Sequence, residues 1–353
     1  MKNSTLGKTL LLSLLITMAS SAIGQSAFNR LGEGEKSLND FRKLSNVMVP
    51  QFRVGFETHS KVTIMRQEGK LSALSGNLAT VGTDKTYNRQ RSYVEASAIL
   101  DAGMEKEDFQ ALTNELHQIL LDEFKKQGIH VVDGDELSKI KSYQKIQEGF
   151  SAKTSRQEDK KDKADLNDDR IYYLADNSLM IYKGDGVAHG VGAITRLKKL
   201  VKESDAVLLL PNIDVDFCVI KLDAEVAGGW NYSGSSTFKS TNANCEVFPV
   251  MNISELTLST IGSNGSVSIG ATNITLKEPF MAERSYQAKM YQDKEKSKSL
   301  FKKLFALGVP DVEFNPMIIE LSKEDYMTAA RDLFRQYGEA LAIAVKYSQQ
   351  NKK

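Results

Sequence analysis

The chain has 353 residues, of which 41% are hydrophobic and 26% charged, and its 46 basic and 45 acidic residues give a formal net charge of +1. This balance excludes the strong positive field by which proteins attract nucleic acid or anionic membranes, so we expect neither as a partner. The apolar content is sufficient for one large core or two modest ones.

The N-terminal residues 1–24 are typical of a secretory signal peptide. Lys2 and Lys8 come before an apolar run over 10–18, and small residues lead from there to Gly24. The run is shorter than the roughly 20 residues that a spanning helix requires, so we expect cleavage after Gly24 and no transmembrane segment in the mature chain. The alternative, a buried N-terminal helix, would need a polar face that this stretch lacks. The sequence therefore predicts a periplasmic or secreted protein.

Residues 25–150 make up the first predicted half, which begins with strands. Alternating apolar residues predict one or two strands between Phe52 and Ile64 and another over Val94–Leu100. The polar residues 67–91 between them predict a loop or a loose hairpin.

A helical period follows these strands. Apolar residues spaced three or four apart predict a helix from Glu105 to Gly128, a glycine suited to the left-handed conformation that ends helices. A short strand over 129–132 and a second helix opened by Asp133 complete a βαβα order. The apolar positions of the second helix are Leu137, Ile140 and Ile146.

The stretch 151–170 separates the two halves of the chain. Twelve of its twenty residues are charged, and both signs are present. Because mixed signs cancel the field that a charged partner would feel, the stretch predicts a solvated linker or insertion rather than a binding tail.

The second half, residues 171–353, is predicted to be an antiparallel β-meander that ends in helices. A strand over 179–182 and a helix over 194–201 lead into a long strand over 206–222. The β-rich segments that follow are separated by Gly, Ser and Asn, and they are 226–238, 245–260 and 266–276.

Two helices are predicted near the C-terminus, over Ser297–Leu307 and Ser322–Lys346. The second opens with a capping box formed by Ser322 and Asp325. Its wide apolar face favours packing on the protein's own sheet over binding a partner helix. The predicted fold class is therefore mixed α/β, an α+β arrangement in which helices flank one mixed sheet shared by both halves.

Two aspartates are the first candidates for chemistry. Asn212, Asp214 and Asp216 alternate along a predicted strand, so their side chains project from one face, where two carboxylates could share a metal or act as an acid and base pair. The residues between them are apolar. The simpler interpretation is that the acids face water because the other face of the strand faces the core.

A glycine-rich segment, 184–192, lies between a predicted strand and a predicted helix. Gly184, Gly186 and Gly190 give it a loose resemblance to a phosphate-binding turn, and His189 is the histidine with the best context for an active site. The alternative is a plain surface loop. Nucleophile-elbow, zinc-helix and Cys-x-x-Cys motifs do not occur, so the sequence predicts no catalytic residue, cofactor or metal.

Cys218 and Cys245 are the only cysteines. An oxidising compartment permits a disulfide between them, and the alternative is two separate buried thiols that pack as small apolar side chains. A bridge requires Cα atoms within about 7 Å. The segment 226–238 would then have to protrude as a hairpin rather than lie as a central strand between them.

In 108–150 a predicted helix leads to a strand ending in Val131-Val132 and then to a helix with a Leu/Ile stripe, and in 194–217 a helix runs into a strand and a meander. With these patterns the two stretches resemble the periplasmic α/β domain of the curli-export lipoprotein family and the N-terminal domain of TolB. The resemblance implies a mixed α/β fold and a role in cell-envelope assembly or scaffolding. The chain lacks the family's lipid-bearing cysteine and a clear membrane-spanning hairpin, so a pore role does not carry over. The resemblance implies no catalytic residue.

The leading functional hypothesis is a non-catalytic exported cell-envelope protein that binds other proteins or assembles with itself. The alternative is a hydrolase or other enzyme with a dispersed site near 184–192, Asp214 and Asp216. An enzyme would bring such groups together in a pocket with perturbed pKa values, whereas a scaffold would expose a broad apolar patch.

Overall fold

The computed structural model describes residues 46–67, 70–75, 93–148, 170–176, 178–179, 191–228, 238–261, 279–306 and 316–350. In these ranges no helix combines the length and the apolar character that crossing a membrane requires.

The strands are, in chain order, β1 (Asn46–Met48), β2 (Arg53–Glu57), β3 (His59–Gln67), β4 (Lys70–Ser75), β5 (Tyr93–Asp101), β6 (His130–Val131), β7 (Arg170–Leu174), β8 (Ala206–Asp216), β9 (Val219–Gly228), β10 (Phe238–Phe248), β11 (Asn252–Ile261), β12 (Phe280–Met281), β13 (Lys289–Tyr291) and β14 (Met317–Glu320). The helices are α1 (Lys106–Lys126), α2 (Gly134–Ser138), α3 (141–148), α4 (Val191–Ser204), α5 (Lys294–Ala306) and α6 (Lys323–Gln350). Parallel and antiparallel strands together with these helices confirm the predicted mixed α/β class.

The central sheet is built around the long strand β8. Its strand order is β12–β11–β8–β1–β6, and β2 and β7 extend it beside the second half of β8. β8 is parallel to β1 from Ala206 and parallel to β2 from Asn212, while β11 pairs antiparallel along its other edge. Strands from before and after the charged stretch 151–170 therefore form one sheet.

A second sheet and a two-stranded ribbon continue from the end of the central sheet. The second sheet has the order β13–β14–β5–β3–β4, and the ribbon consists of β9 and β10. The chain passes into the second sheet at Thr58, whose carbonyl accepts a hydrogen bond from the backbone N–H of Leu100 at 2.9 Å. It passes into the ribbon at 217–218, and the ribbon contacts β3 and β5.

Helices α1 and α6 cover one face of the central sheet. The rings of Phe56 and Phe109 lie 5.2 Å apart, and those of Phe52 and Phe334 lie 6.1 Å apart. The apolar stripe of α6 is buried from Tyr326 to Val345, which confirms the prediction that this helix packs on its own sheet. Helix α4 packs against β8 and β11 and buries Leu197, Leu200 and Val201.

Several predicted boundaries are confirmed. Helix α1 is followed by Gly128, which has a φ of +71°, a conformation that glycine adopts without the strain of a Cβ. Ser322 caps α6, because the backbone N–H of Asp325 donates to Ser322 Oγ at 3.1 Å; the Asp325 carboxylate in turn accepts from the Ser322 hydroxyl at 2.6 Å, which forms half of the predicted capping box.

Other boundaries differ from the prediction. The single helix expected after Asp133 is two helices, α2 and α3, of which α2 is capped by the Asp133 carboxylate. The long strand expected over 206–222 is interrupted at 217–218, where the chain leaves the central sheet. Of the strand expected over 179–182, Leu179 lies outside the strands and 180–182 fall outside the described residues, as does the β-rich segment 266–276.

Candidate functional site

Asp214 and Asp216 lie on the face of β8 opposite to the apolar residues. Ile213 and Val215, which alternate with these aspartates, are fully buried, so the predicted alternation is confirmed. The strand register brings Gly55 of β2 beside Asp214, and it brings Arg170 of β7 beside Glu57. Residues that share a register position share a face of the sheet, so charged residues from three strands meet here.

Arg170 is the counter-charge of both aspartates. Its Nη2 donates to Asp216 Oδ1 at 2.6 Å, and its Nε lies 3.6 Å from Asp214 Oδ2. Ser254 Oγ donates to the same Asp216 oxygen at 2.8 Å. The side chains of Arg170, Asp214 and Asp216 are only 10%, 9% and 15% exposed, respectively. The expectation that the acids face water is therefore wrong for both, because their side chains are largely buried and a guanidinium rather than solvent compensates their charges.

Arg170 stays positively charged in this cluster. Burial by itself would lower the pKa of this guanidinium, but the carboxylates of Asp216, Glu57 and Asp214 raise the pKa above its ordinary value. A carboxylate that is engaged by a permanent cation and a hydroxyl is a poor general base, because those bonds favour its ionised form and occupy its oxygens. The geometry therefore identifies this cluster as a buried ion-pair network that joins β7, β8 and β11.

The network continues through an aromatic ring to Arg53. The guanidinium carbon of Arg53 lies 3.7 Å from the centre of the Tyr172 ring, and its Nη1 donates to Asn212 Oδ1 at 2.8 Å. The ring of Tyr172 lies over Gly55: a Cβ at position 55 would be 2.4 Å from Tyr172 Cε1 and 2.8 Å from Asp214 Oδ1. Glycine is needed here for the close approach of this ring.

We expect Gly55→Ala to lower the free energy of unfolding by about 2 kcal/mol, because Tyr172 and Asp214 are held by Arg53 and Arg170 and cannot move aside freely. Urea unfolding measures the change. Gly134→Ala is the matched control, since a Cβ there has no atom within 4 Å, and it should raise the free energy of unfolding by up to about 1 kcal/mol. Equal effects at both positions would contradict the steric role of Gly55.

The structure does not describe the other candidates from the sequence. His189, Gly184, Gly186 and Gly190 fall outside the described residues, and α4 begins at Val191. Within the part of the chain that the structure describes, no group of three His, Cys, Asp or Glu side chains is placed to bind a metal.

The two cysteines are not bonded to each other. Cys218 is buried and Cys245 is exposed, and both thiols are free. The ribbon register pairs Cys245 with Leu222, and it pairs Phe248 with Val219, the residue that follows Cys218. The three strand positions between these two pairs span about 10 Å, which already exceeds the Cα separation that a disulfide tolerates. The alternative prediction, that both thiols are buried, is confirmed for Cys218 and wrong for Cys245.

A second charged cluster lies at the edge of the second sheet. Lys296 of α5 contacts the carboxylates of Asp101 and Glu320, with 2.7 Å between Lys296 Nζ and Asp101 Oδ2, and it also bonds Tyr291. The hydrogen bonds that Lys296 donates to Asp101, Glu320 and Tyr291 raise its pKa. A lysine held in its charged form is not a nucleophile, so this cluster fastens α5 to the strands β5 and β14.

The sequence did not predict the partners of the aspartates. Arg170 ends the predicted charged stretch 151–170, although Arg170 and Tyr172 alternate with Ile171 and Tyr173 in the pattern of a strand.

Comparison with protein-family models, with curated proteins and with solved structures found no match for the chain.

Proposed function

We propose that this chain is a non-catalytic exported protein of the cell envelope that binds other proteins or assembles with itself. The observation that supports binding is the ribbon, where the 11-residue strand β10 pairs only with β9 among the described strands. An edge strand with free backbone groups is a template for strand addition by another chain.

Two further features support the proposal. The carboxylates of Asp214 and Asp216 are engaged by Arg170, so a hydrolase near 184–192 that used them would first have to break a buried ion pair. Phe248, at the end of β10, is 38% exposed and Met281 of the edge strand β12 is 39% exposed, so large apolar side chains face solvent where these strands end. Exposed apolar groups beside an open strand edge favour contact with protein.

An affinity pull-down from the cell envelope tests the proposal. A C-terminally tagged chain should be recovered from the exported fraction with Gln25 as its first residue, together with untagged copies of itself or other envelope proteins. A chain that stays in the cytoplasm, or that retains no protein at low salt, would contradict the proposal.

A further inference from the structure

A segment of seven residues, 282–288, joins the two sheets and is called the strap. It runs from β12 at the edge of the central sheet to β13 at the edge of the second sheet, and it contains neither helix nor strand. Three of its residues pack against the core, namely Ala282, Tyr286 and Ala288, and the other four are exposed. Tyr286 is the only long side chain among these three, so it makes the main contact between the strap and the core.

Few hydrogen bonds hold the strap. At its start the strap continues the pairing of β12 with β11 by one backbone hydrogen bond of 3.0 Å. The backbone N–H of Glu283 then donates to Gln336 Oε1 of α6 at 3.2 Å. From there to β13, the one hydrogen bond that the described residues provide runs from the Tyr286 hydroxyl to the carbonyl of Phe217. A segment with few buried contacts and many exposed backbone groups is among the parts of a protein that open most easily.

The Tyr286 hydroxyl lies over a buried polar junction between the sheets. Phe217, whose carbonyl accepts from it, directly precedes Cys218, and both residues are at most 3% exposed. Burial raises the pKa of this tyrosine, and the nearby Cys218, Tyr326 and Glu57 raise it further, so these groups lie close to the hydroxyl. The Tyr326 hydroxyl is fully buried and has no hydrogen-bond partner among the described residues, which makes the closed junction less favourable.

We infer that the strap opens while both sheets stay folded, and that its opening gives solvent and small molecules access to the Cys218 thiol. In the closed form this thiol is enclosed, and burial raises its pKa, so it is a poor nucleophile. Reaction of Cys218 with a thiol reagent therefore requires opening and reports how often opening occurs. Such opening does not depend on the partner that the protein binds.

Thiol labelling tests strap opening. In a Cys245→Ser background Cys218 is the only thiol, because the chain has two cysteines. Mass spectrometry follows its alkylation by excess N-ethylmaleimide, in which the thiolate adds to the maleimide double bond. The rate should stay nearly constant with urea below the unfolding transition, because the opening of seven residues exposes little surface.

Three variants locate the opening. Tyr286→Phe removes the hydrogen bond to Phe217 and should raise the labelling rate about fivefold, since that bond exists only in the closed form. Gln336→Ala removes an exposed bond to the strap without changing the ribbon and should raise the rate about twofold. Ser204→Ala, the control, removes a hydroxyl-to-carbonyl bond of 2.8 Å at the end of α4 and should leave the rate unchanged.

Three results would overturn the inference. A labelling rate that rises with urea as steeply as global unfolding would mean that Cys218 reacts only in the unfolded chain. A rate that Tyr286→Phe leaves unchanged would mean that the strap does not control access to the thiol. A rate that Tyr286→Phe raises but Gln336→Ala does not would assign the opening to the ribbon instead of the strap.

Discussion

Replacement of Arg170 with methionine is expected to lower the free energy of unfolding by about 4 kcal/mol. The substitution keeps the length and the apolar stem of the side chain but removes the guanidinium that contacts Asp214 and Asp216. The two carboxylates would then be largely buried without the guanidinium that compensates their charge. Removing one partner of a buried ion pair lowers the free energy of unfolding far more than an exposed ion pair contributes to it. Chemical denaturation at neutral pH measures the loss.

Two comparisons isolate the charge effect. Arg335→Met breaks the pair with Asp332, in which both side chains are more than half exposed, and should cost no more than about 0.5 kcal/mol. Adding Asp214→Asn and Asp216→Asn to Arg170→Met removes the uncompensated charges and should recover at least part of the stability. A loss below about 1 kcal/mol for Arg170→Met would contradict the role of this residue as the counter-charge.

The stability of the protein is expected to fall in acid because of His117. The imidazole lies on α1 and stacks on Phe52, with ring centroids 4.9 Å apart and planes 22° from parallel. Burial lowers the pKa of His117 from 6.5 to about 4. Among the described residues its buried Nε2 has no hydrogen-bond partner, so none of them stabilises the protonated form at that atom.

The direction of the pH effect follows from the lowered pKa. Above pH 6.5 the imidazole is neutral in both the folded and the unfolded chain, and the stability is complete. As the pH falls toward 4 the unfolded chain takes up a proton that the folded chain does not, so this histidine reduces stability by up to about 3 kcal/mol, and the loss levels off below pH 4.

Comparison with a variant separates His117 from the acidic groups. His117→Phe removes the titrating group. Relative to the unchanged protein, the free energy of unfolding of the variant should therefore increase by about 3 kcal/mol as the pH is lowered from 7 to 4, whatever the difference between the two proteins at pH 7. His130 has an exposed side chain, and His130→Phe is the matched control, for which this difference should change much less. Parallel curves for His117→Phe and the unchanged protein would contradict the prediction.

The long elements could be predicted from the sequence because their periods are visible over many residues. Helices α1 and α6, with 21 and 28 residues, repeat an apolar stripe often enough to define the buried face. Strands β1 and β14 were missed, because three or four residues are too few to establish an alternation. They are strands because neighbouring strands complete their hydrogen bonds, which is a tertiary effect.

By itself the sequence determined which face of β8 is apolar, since Ile213 and Val215 alternate with Asp214 and Asp216 at the strand period. Only the tertiary structure decided the environment of the acids. Arg170 is 44 residues from Asp214 along the chain, and it reaches the acids because β7 pairs with β2 and β2 pairs with β8. The position of Cys245 opposite Leu222 was decided in the same way, by the ribbon register. Local periodicity encodes which side of an element is buried, whereas the partners of a buried charge or thiol depend on strand pairings between distant segments, which no local pattern records.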